Sequence, residues 1–358
     1  MQKGIQIGVN EIVEIAFGTL LNKPSISFFT QICDNPSAVR RGDLFILTQK
    51  DSTQAQRDIE EAVQRGAFGI LFSGNIAMND EEVAWISVED LEQSLMRILR
   101  HYLMMHNKIL FLLDSDEYAI ATQIIVPKKN LGFYCGSLSG LISYILQSEM
   151  AYFLHCNMSL NMESLPKNQQ EIKILPQDKI NENALPFSIN SYSLFNIRIF
   201  YKSADYEILL PRLFVQSLAR ILRFCETYSF AVQLENFTFI ANFKPLFLDE
   251  RGVIAKPGTT NKVLLACNND KLYGRYLAYF KMNAKWAHLV LFVPSAYQEI
   301  YAPCAKTFSY DRKEELFSSL IRERYNFALI LGVDTQTLEE RFVSQTHEVS
   351  LFEYTIKE

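Results

Sequence analysis

The chain has 358 residues, 49% of them hydrophobic, which is enough to bury two or three cores of ordinary domain size. Its formal net charge is −5, with both signs interspersed and no long run of one sign, so neither a nucleic-acid arm nor an acidic tail is present and no nucleic-acid partner is expected. The amino-terminal stretch lacks a basic segment followed by an apolar one, and no later window holds 18 uncharged apolar residues, so a cytoplasmic, non-membrane-spanning protein is expected.

In chain order, short apolar runs bounded by turn residues predict buried strands at Asp43–Thr48, Ala67–Ser73, Trp85–Val88 and Ile109–Leu113. Between the last two, Leu91, Leu95, Ile98, Leu99, Tyr102 and Leu103 share one helical face within Glu89–His106. Small residues at Gly136-Ser137-Leu138-Ser139-Gly140 predict the start of a helix through Leu141, Ile142, Ile145 and Leu146, capped by Ser137 or Ser139. From Asn157 to Phe187 the chain is polar and broken by Pro166, Pro176 and Pro186, so loops are expected there. Leu194–Lys202 and Tyr206–Leu210 read as a β-hairpin turning at Ser203-Ala204-Asp205, before a helix at Leu213–Tyr228. Strands follow at Val263–Cys267, Leu289–Val293 and Phe327–Gly332, with Leu316, Leu320 and Ile321 on a helix between the last two. Such alternation predicts mainly parallel sheets covered by helices. Six scattered cysteines without a C-x-x-C pair read as buried free thiols.

The chemical motifs are sparse. Gly136–Gly140 lacks the central serine of a nucleophile elbow, since Leu138 stands there. His155 and Cys156 are adjacent and cannot face each other along one helix as a relay pair, and the five histidines show no metal-ligand spacing. No metal site and no cofactor are expected. Gly69 and Gly74 have phosphate-loop spacing, but Asn75-Ile76 replace the lysine and hydroxyl residue required, and Gly69 falls inside a predicted strand.

The order of pieces resembles the Mur ligases, and most of all the member that adds the terminal D-alanyl-D-alanine. The match runs from Asn10 to Gly74 through Asp34, Arg41-Gly42-Asp43-Leu44-Phe45 and Gly66-Ala67. Leu210–Phe224 is similar to the segment ending the family's ATPase domain. Lys262–Cys267, Trp286–Pro294 and Phe327–Gly332 are similar to its Rossmann-like carboxy-terminal domain. The resemblance implies an α/β, three-part architecture: an amino-terminal domain over 1–106, a shortened and degenerate central, ATPase-like domain over 107–245, and a Rossmann-like domain over 246–358.

It also implies a site that this sequence alters. An ATP-using Mur ligase runs from its first central strand into a glycine-rich loop carrying Lys-Thr, whose N–H groups and lysine hold the triphosphate. Here Ile109–Leu113 runs into Asp114-Ser115-Asp116-Glu117, three carboxylates without glycine or lysine. Lys128-Lys129 are the nearest basic candidates for a remodelled phosphate site. Glu149 and His155 stand in the order of the family's metal and phosphate ligands, yet a surface glutamate and a partly buried histidine are the expectation. In the amino-terminal domain, the family's Asp-Ser/Thr-Arg loop contacts the uridine diphosphate end of the precursor. This chain keeps Asp34, followed by Asn35 and Pro36, so the ligand-binding candidates are Asp34, Asn35, Arg40, Arg41 and Lys50. The expected function is a catalytically inactive Mur-ligase-like protein that binds or scaffolds in peptidoglycan precursor synthesis, with a UDP-muramyl precursor or peptidoglycan-synthesis proteins as partners. The alternatives are an active ligase or transferase with a remodelled phosphate site, and an interaction protein unconnected with the cell wall.

Overall fold

A computed structural model describes residues 6–78, 80–126, 130–156, 170–240, 243–249, 251–256 and 258–342. Within them the chain forms two compact units, the first built from the described residues up to 118 together with those of 125–178, the second from 119–124 together with the described residues from 179 onward.

The first unit opens with β1 (Ile7–Gly8), α1 (Val9–Ala16), β2 (Thr19–Leu20), β3 (Phe28–Phe29) and β4 (Ile32–Cys33). It continues through β5 (Leu44–Ile46), α2 (Ser52–Gln64), β6 (Gly69–Ser73), β7 (Ala84–Val88) and α3 (Leu91–Met105). β1 and β3 form a small antiparallel pair, while β2-β7-β6-β5-β4 make a five-stranded sheet that is parallel except at β2. Side chains alternate across it. Leu44, Ile46, Leu71 and Ile86 pack against α1 and α3, whereas Phe45, Ile70, Phe72 and Trp85 pack with Ala55, Ile59 and Ala62 of α2. The Gly42-Asp43 turn before β5 has a physical reason. Gly42 and Gly66 both adopt positive φ (99° and 96°), Gly42 N donates to Gly66 O at 2.9 Å, and the buried Asp43 carboxylate accepts from Thr30 Oγ1 at 2.9 Å and Arg40 N at 2.8 Å.

The same core runs on into a four-stranded parallel sheet of order β11-β8-β10-β9. Its elements are β8 (Ile109–Leu113), α4 (Ser115–Ile124), β9 (Leu131–Tyr134), α5 (Leu138–Gln147), β10 (Tyr152–Cys156) and β11 (Ile172–Ile174). β11 corrects the loop expectation for 157–187: its three residues find a ladder partner in β8, which outweighs their polar surroundings. A short 3-10 turn follows at Glu182–Ala184, and residues 157–169 lie outside the described residues.

The second unit contains β12 (Ser188–Tyr192), β13 (Ile197–Tyr201), β14 (Ala204–Ile208), α6 (Val215–Thr227), β15 (Leu246–Leu248), β16 (Lys262–Cys267) and α7 (Asp270–Asn283). It ends with β17 (Leu289–Pro294), α8 (Gln298–Tyr301), β18 (Lys306–Tyr310), α9 (Lys313–Arg322) and β19 (Phe327–Leu331). β12, β13 and β14 form an antiparallel meander. The hairpin between β13 and β14 turns on Lys202 and Ser203, both at positive φ (46° and 68°), so its loop is two residues long and Ala204 and Asp205 belong to β14. The helix expected from Leu213 begins at Val215, after a 3-10 turn at Arg212–Phe214. The carboxy-terminal sheet has the order β15-β16-β19-β17-β18 and is parallel except at β15; its last strand lies between β16 and β17.

All six cysteines are unpaired, but only Cys156, Cys225 and Cys267 are buried; Cys33 and Cys304 are half-buried and Cys135 is exposed, which corrects the expectation of buried thiols throughout. Among the described residues no helix is long and apolar enough to cross a membrane.

Candidate functional site

In an open α/β sheet, ligands are met at the carboxyl ends of the strands, where backbone N–H groups and loop side chains converge. The central sheet presents three such ends side by side: Asp114 after β8, Cys135–Ser137 after β9, and Cys156 closing β10.

At the first, strand passes to helix through one residue. Asp114 and Glu117 then satisfy each other: Glu117 N donates to Asp114 Oδ1 at 2.7 Å, and Asp114 N donates to Glu117 Oε2 at 3.0 Å. This is the reciprocal geometry of a capping box with an acid at each position. Gln177 Nε2 adds a bond to Glu117 Oε1 at 3.1 Å, and both Asp116 and Glu117 are buried. The amino end of α4, where helix dipole and free N–H groups would attract an anion, therefore holds the chain's own carboxylates. Nearby, burial pushes the Tyr118 hydroxyl up to about 12. Lys128 and Lys129 lie outside the described residues.

At the second end, Ser137 caps α5, its Oγ accepting from Gly140 N at 3.1 Å. Ser139 does something different. It is buried, and its Oγ donates to Asp34 Oδ2, tying the β4 loop to α5 across 105 residues of sequence. The Tyr134 ring stacks between Tyr144 (5.5 Å) and His155 (5.9 Å). Its hydroxyl is raised, first by burial and then by the Asp34 charge. His155 is fully buried rather than partly so. Its Nδ1 lies 3.1 Å from Tyr134 O; because a carbonyl only accepts, the proton belongs on Nδ1, and Nε2 has no partner among the described residues. Glu149 is exposed, and no cluster of three metal-ligating side chains occurs among the described residues.

Burial lowers the His155 pKa, so the fold holds it neutral. The unfolded chain takes up a proton below about pH 6.5 while the folded chain does not, so this group's contribution is intact above that pH and is lost as pH falls toward the folded value. Denaturant titrations at pH 7.5, 6.5 and 5.5 should show wild type losing up to about 1.4 kcal/mol per unit of pH more than His155→Gln does.

The five candidates of the amino-terminal domain separate into two places. Asp34 and Asn35 follow β4, and Lys50 lies beyond the end of β5, its parallel neighbour, so these three share the carboxyl edge. Arg40 and Arg41 precede β5 and lie toward its amino end, both exposed. The Asn35 side chain caps a 3-10 turn by accepting from Ser37 N at 3.1 Å, and Lys50 N donates to Gln49 Oε1 at 2.9 Å. The pairing of Asp34 with Ser139 had no local sequence signal; an aspartate after a strand and a serine beside a helix start were each visible only singly.

No protein-family model matches the sequence, and no curated protein matches it. Solved structures do. MurF from Acinetobacter baumannii shares 11% identity at a TM-score of 0.59, covering 95% of this chain and 99% of that one. The UDP-N-acetylmuramoylalanyl-D-glutamyl-2,6-diaminopimelate–D-alanyl-D-alanyl ligase from the same organism shares 10% at a TM-score of 0.56, over 96% and 99%. MurF ligase from Thermotoga maritima, in complex with ADP, shares 11% at a TM-score of 0.54, over 88% and 96%. The chain thus has a Mur-ligase-like, multi-domain α/β fold over nearly its whole length.

Proposed function

We propose that this chain is a catalytically inactive Mur-ligase-like protein of the cytoplasm that binds or scaffolds in peptidoglycan precursor synthesis, using neither ATP nor a metal ion. The observation that carries this reading is the β8–α4 junction, where Asp114 and Glu117 take each other's N–H groups and a third acid, Asp116, stands between them. A triphosphate there would meet like charge in place of the N–H cradle and lysine of an ATP-binding loop. A Thermotoga ligase of this fold holds ADP; this chain offers no lysine between Leu113 and Val126 for such a ligand.

What the proposal retains is the precursor-binding end. Asp34, Asn35, Arg40, Arg41 and Lys50 are assigned to the nucleotide-sugar portion of a UDP-muramyl peptide, with Asp34, Asn35 and Lys50 at one edge of the sheet. Ligands of this class are supported by the shared fold of a UDP-N-acetylmuramoyl-peptide ligase.

Thermal-shift titrations of the full chain test this, because a ligand that binds only the native state raises its melting temperature. A rise with UDP-N-acetylmuramyl peptide and none with Mg-ATP is the expected result. A rise with Mg-ATP would overturn the inactive reading, and silence toward the precursor would overturn precursor binding and favour a protein–protein role.

A further inference from the structure

The second unit holds a cavity at the edge opposite to the one where nucleotide ligands are sought. β16, β17 and β19 run parallel and begin side by side, and the residues ahead of them, Asn261, Trp286 and Asn326, line a cavity of about 480 Å³. Tyr192, at the end of β12, and Asn283, in the last turn of α7, also line it. This volume suits a ligand of one or two rings. None of the described residues that line it is charged.

Two kinds of surface meet there. Trp286 is 73% exposed, yet its ring is held edge-on to Phe327 at 5.9 Å; Tyr192 is also exposed, with the Arg212 guanidinium 4.5 Å from its ring centre. Large aromatic faces left in water at a concave site are an unused apolar platform. Around them the amides are only partly engaged. Asn326 Oδ1 accepts from His288 N at 2.9 Å, which leaves its Nδ2 to donate. Asn283 Nδ2 donates to Tyr279 O at 2.8 Å, which leaves its Oδ1 to accept. The Asn261 side chain has no hydrogen-bond partner among the described residues and offers both.

We propose that this cavity binds an uncharged carbohydrate, with a pyranose ring laid on Trp286 and its hydroxyls bonded to Asn261, Asn283 and Asn326. The C–H face of a sugar ring is apolar and matches an indole. Its hydroxyls each donate and accept, so they fit a mixed set of free amide donors and acceptors. A phosphorylated or carboxylated ligand would meet Arg212, whose guanidinium stacks on Tyr192 and is already paired with Glu182 at 2.9 Å. The site is independent of the precursor-binding edge, because its residues lie wholly in the second unit.

The chain has two tryptophans, and Trp85 is buried, so a ligand at the cavity reports through Trp286. The full chain is titrated with cellobiose and with N,N′-diacetylchitobiose, following tryptophan emission and, separately, saturation transfer to the sugar. A saturable response to either, with millimolar affinity, is expected. Asn261→Ala should weaken it about tenfold, and Trp286→Ala should abolish saturation transfer. Both substitutions fall on surface side chains, and each variant is matched to wild type by circular dichroism. No response to either sugar up to its solubility limit, a response to adenosine instead, or binding unchanged in both variants would overturn the proposal.

Discussion

Phe243→Ala lowers the stability of the second unit by about 3–5 kcal/mol, the expected cost of emptying a large aromatic site that cannot collapse. Phe243 is 1% exposed and sits edge-on to Tyr276 at 4.8 Å and to Phe214 at 5.4 Å, and it lies parallel to Phe280 at 6.1 Å. Each of these rings packs on others, since Phe280 also meets Phe327 at 5.0 Å and Phe195 meets Phe243 at 6.3 Å. No single neighbour can swing in without breaking its own contacts, so the void persists. Urea titration followed by far-ultraviolet circular dichroism should show the midpoint falling with an unchanged slope, and Phe243→Leu should recover more than half of the loss. A change below about 1 kcal/mol would mean that the aromatic cluster is not the nucleus of this core.

Glu117→Ala destabilises the first unit by about 2–3 kcal/mol, although it removes a charge from among other acids. The carboxylate is fully buried and accepts from Asp114 N and Gln177 Nε2, so its loss strands the Asp114 N–H, leaves Gln177 Nε2 with Leu175 O at 3.2 Å, and undoes half of the helix cap. Glu117→Gln keeps one acceptor oxygen and should cost roughly half as much. If Glu117→Ala were instead neutral or stabilising, the carboxylates would be repelling one another in the native state, and the self-capped junction would lose its physical basis.

Much of the fold was legible wherever an apolar run met a turn signal. β8 runs over Ile109–Leu113 as its five apolar residues imply, and α3 follows the stripe from Leu91 to Leu103 because burial against α1 and β6 demands that face. Elements at sheet edges gave weaker signals. β12 (Ser188–Tyr192) is exposed along most of its length and carries no hydrophobic alternation, and β11 is three residues in a polar setting. β10 was obscured by His155, whose burial depends on a backbone carbonyl supplied by β9, 21 residues earlier. The hairpin turn was misplaced because Lys202 and Ser203 are not the residues that advertise positive φ.

The candidate sites were legible only in part, for a related reason. The acids after β8 were visible as a departure from a phosphate loop, but their mutual capping was not, because it depends on the helix beginning at Ser115. Asp34 was visible, while its bond to Ser139 spans 105 residues. Asn261, Trp286 and Asn326 are inconspicuous in sequence and become neighbours only because three parallel strands start at one level.

The inactive reading turns on the proposal that the β8–α4 junction does not accept a nucleotide triphosphate. Equilibrium dialysis of the full chain against radiolabelled Mg-ATP measures this directly. No retained nucleotide is expected at millimolar ATP, with or without UDP-N-acetylmuramyl peptide in the cell. One nucleotide retained per chain, followed by phosphate release when D-alanyl-D-alanine is added together with the precursor, would contradict it and identify a working ligase.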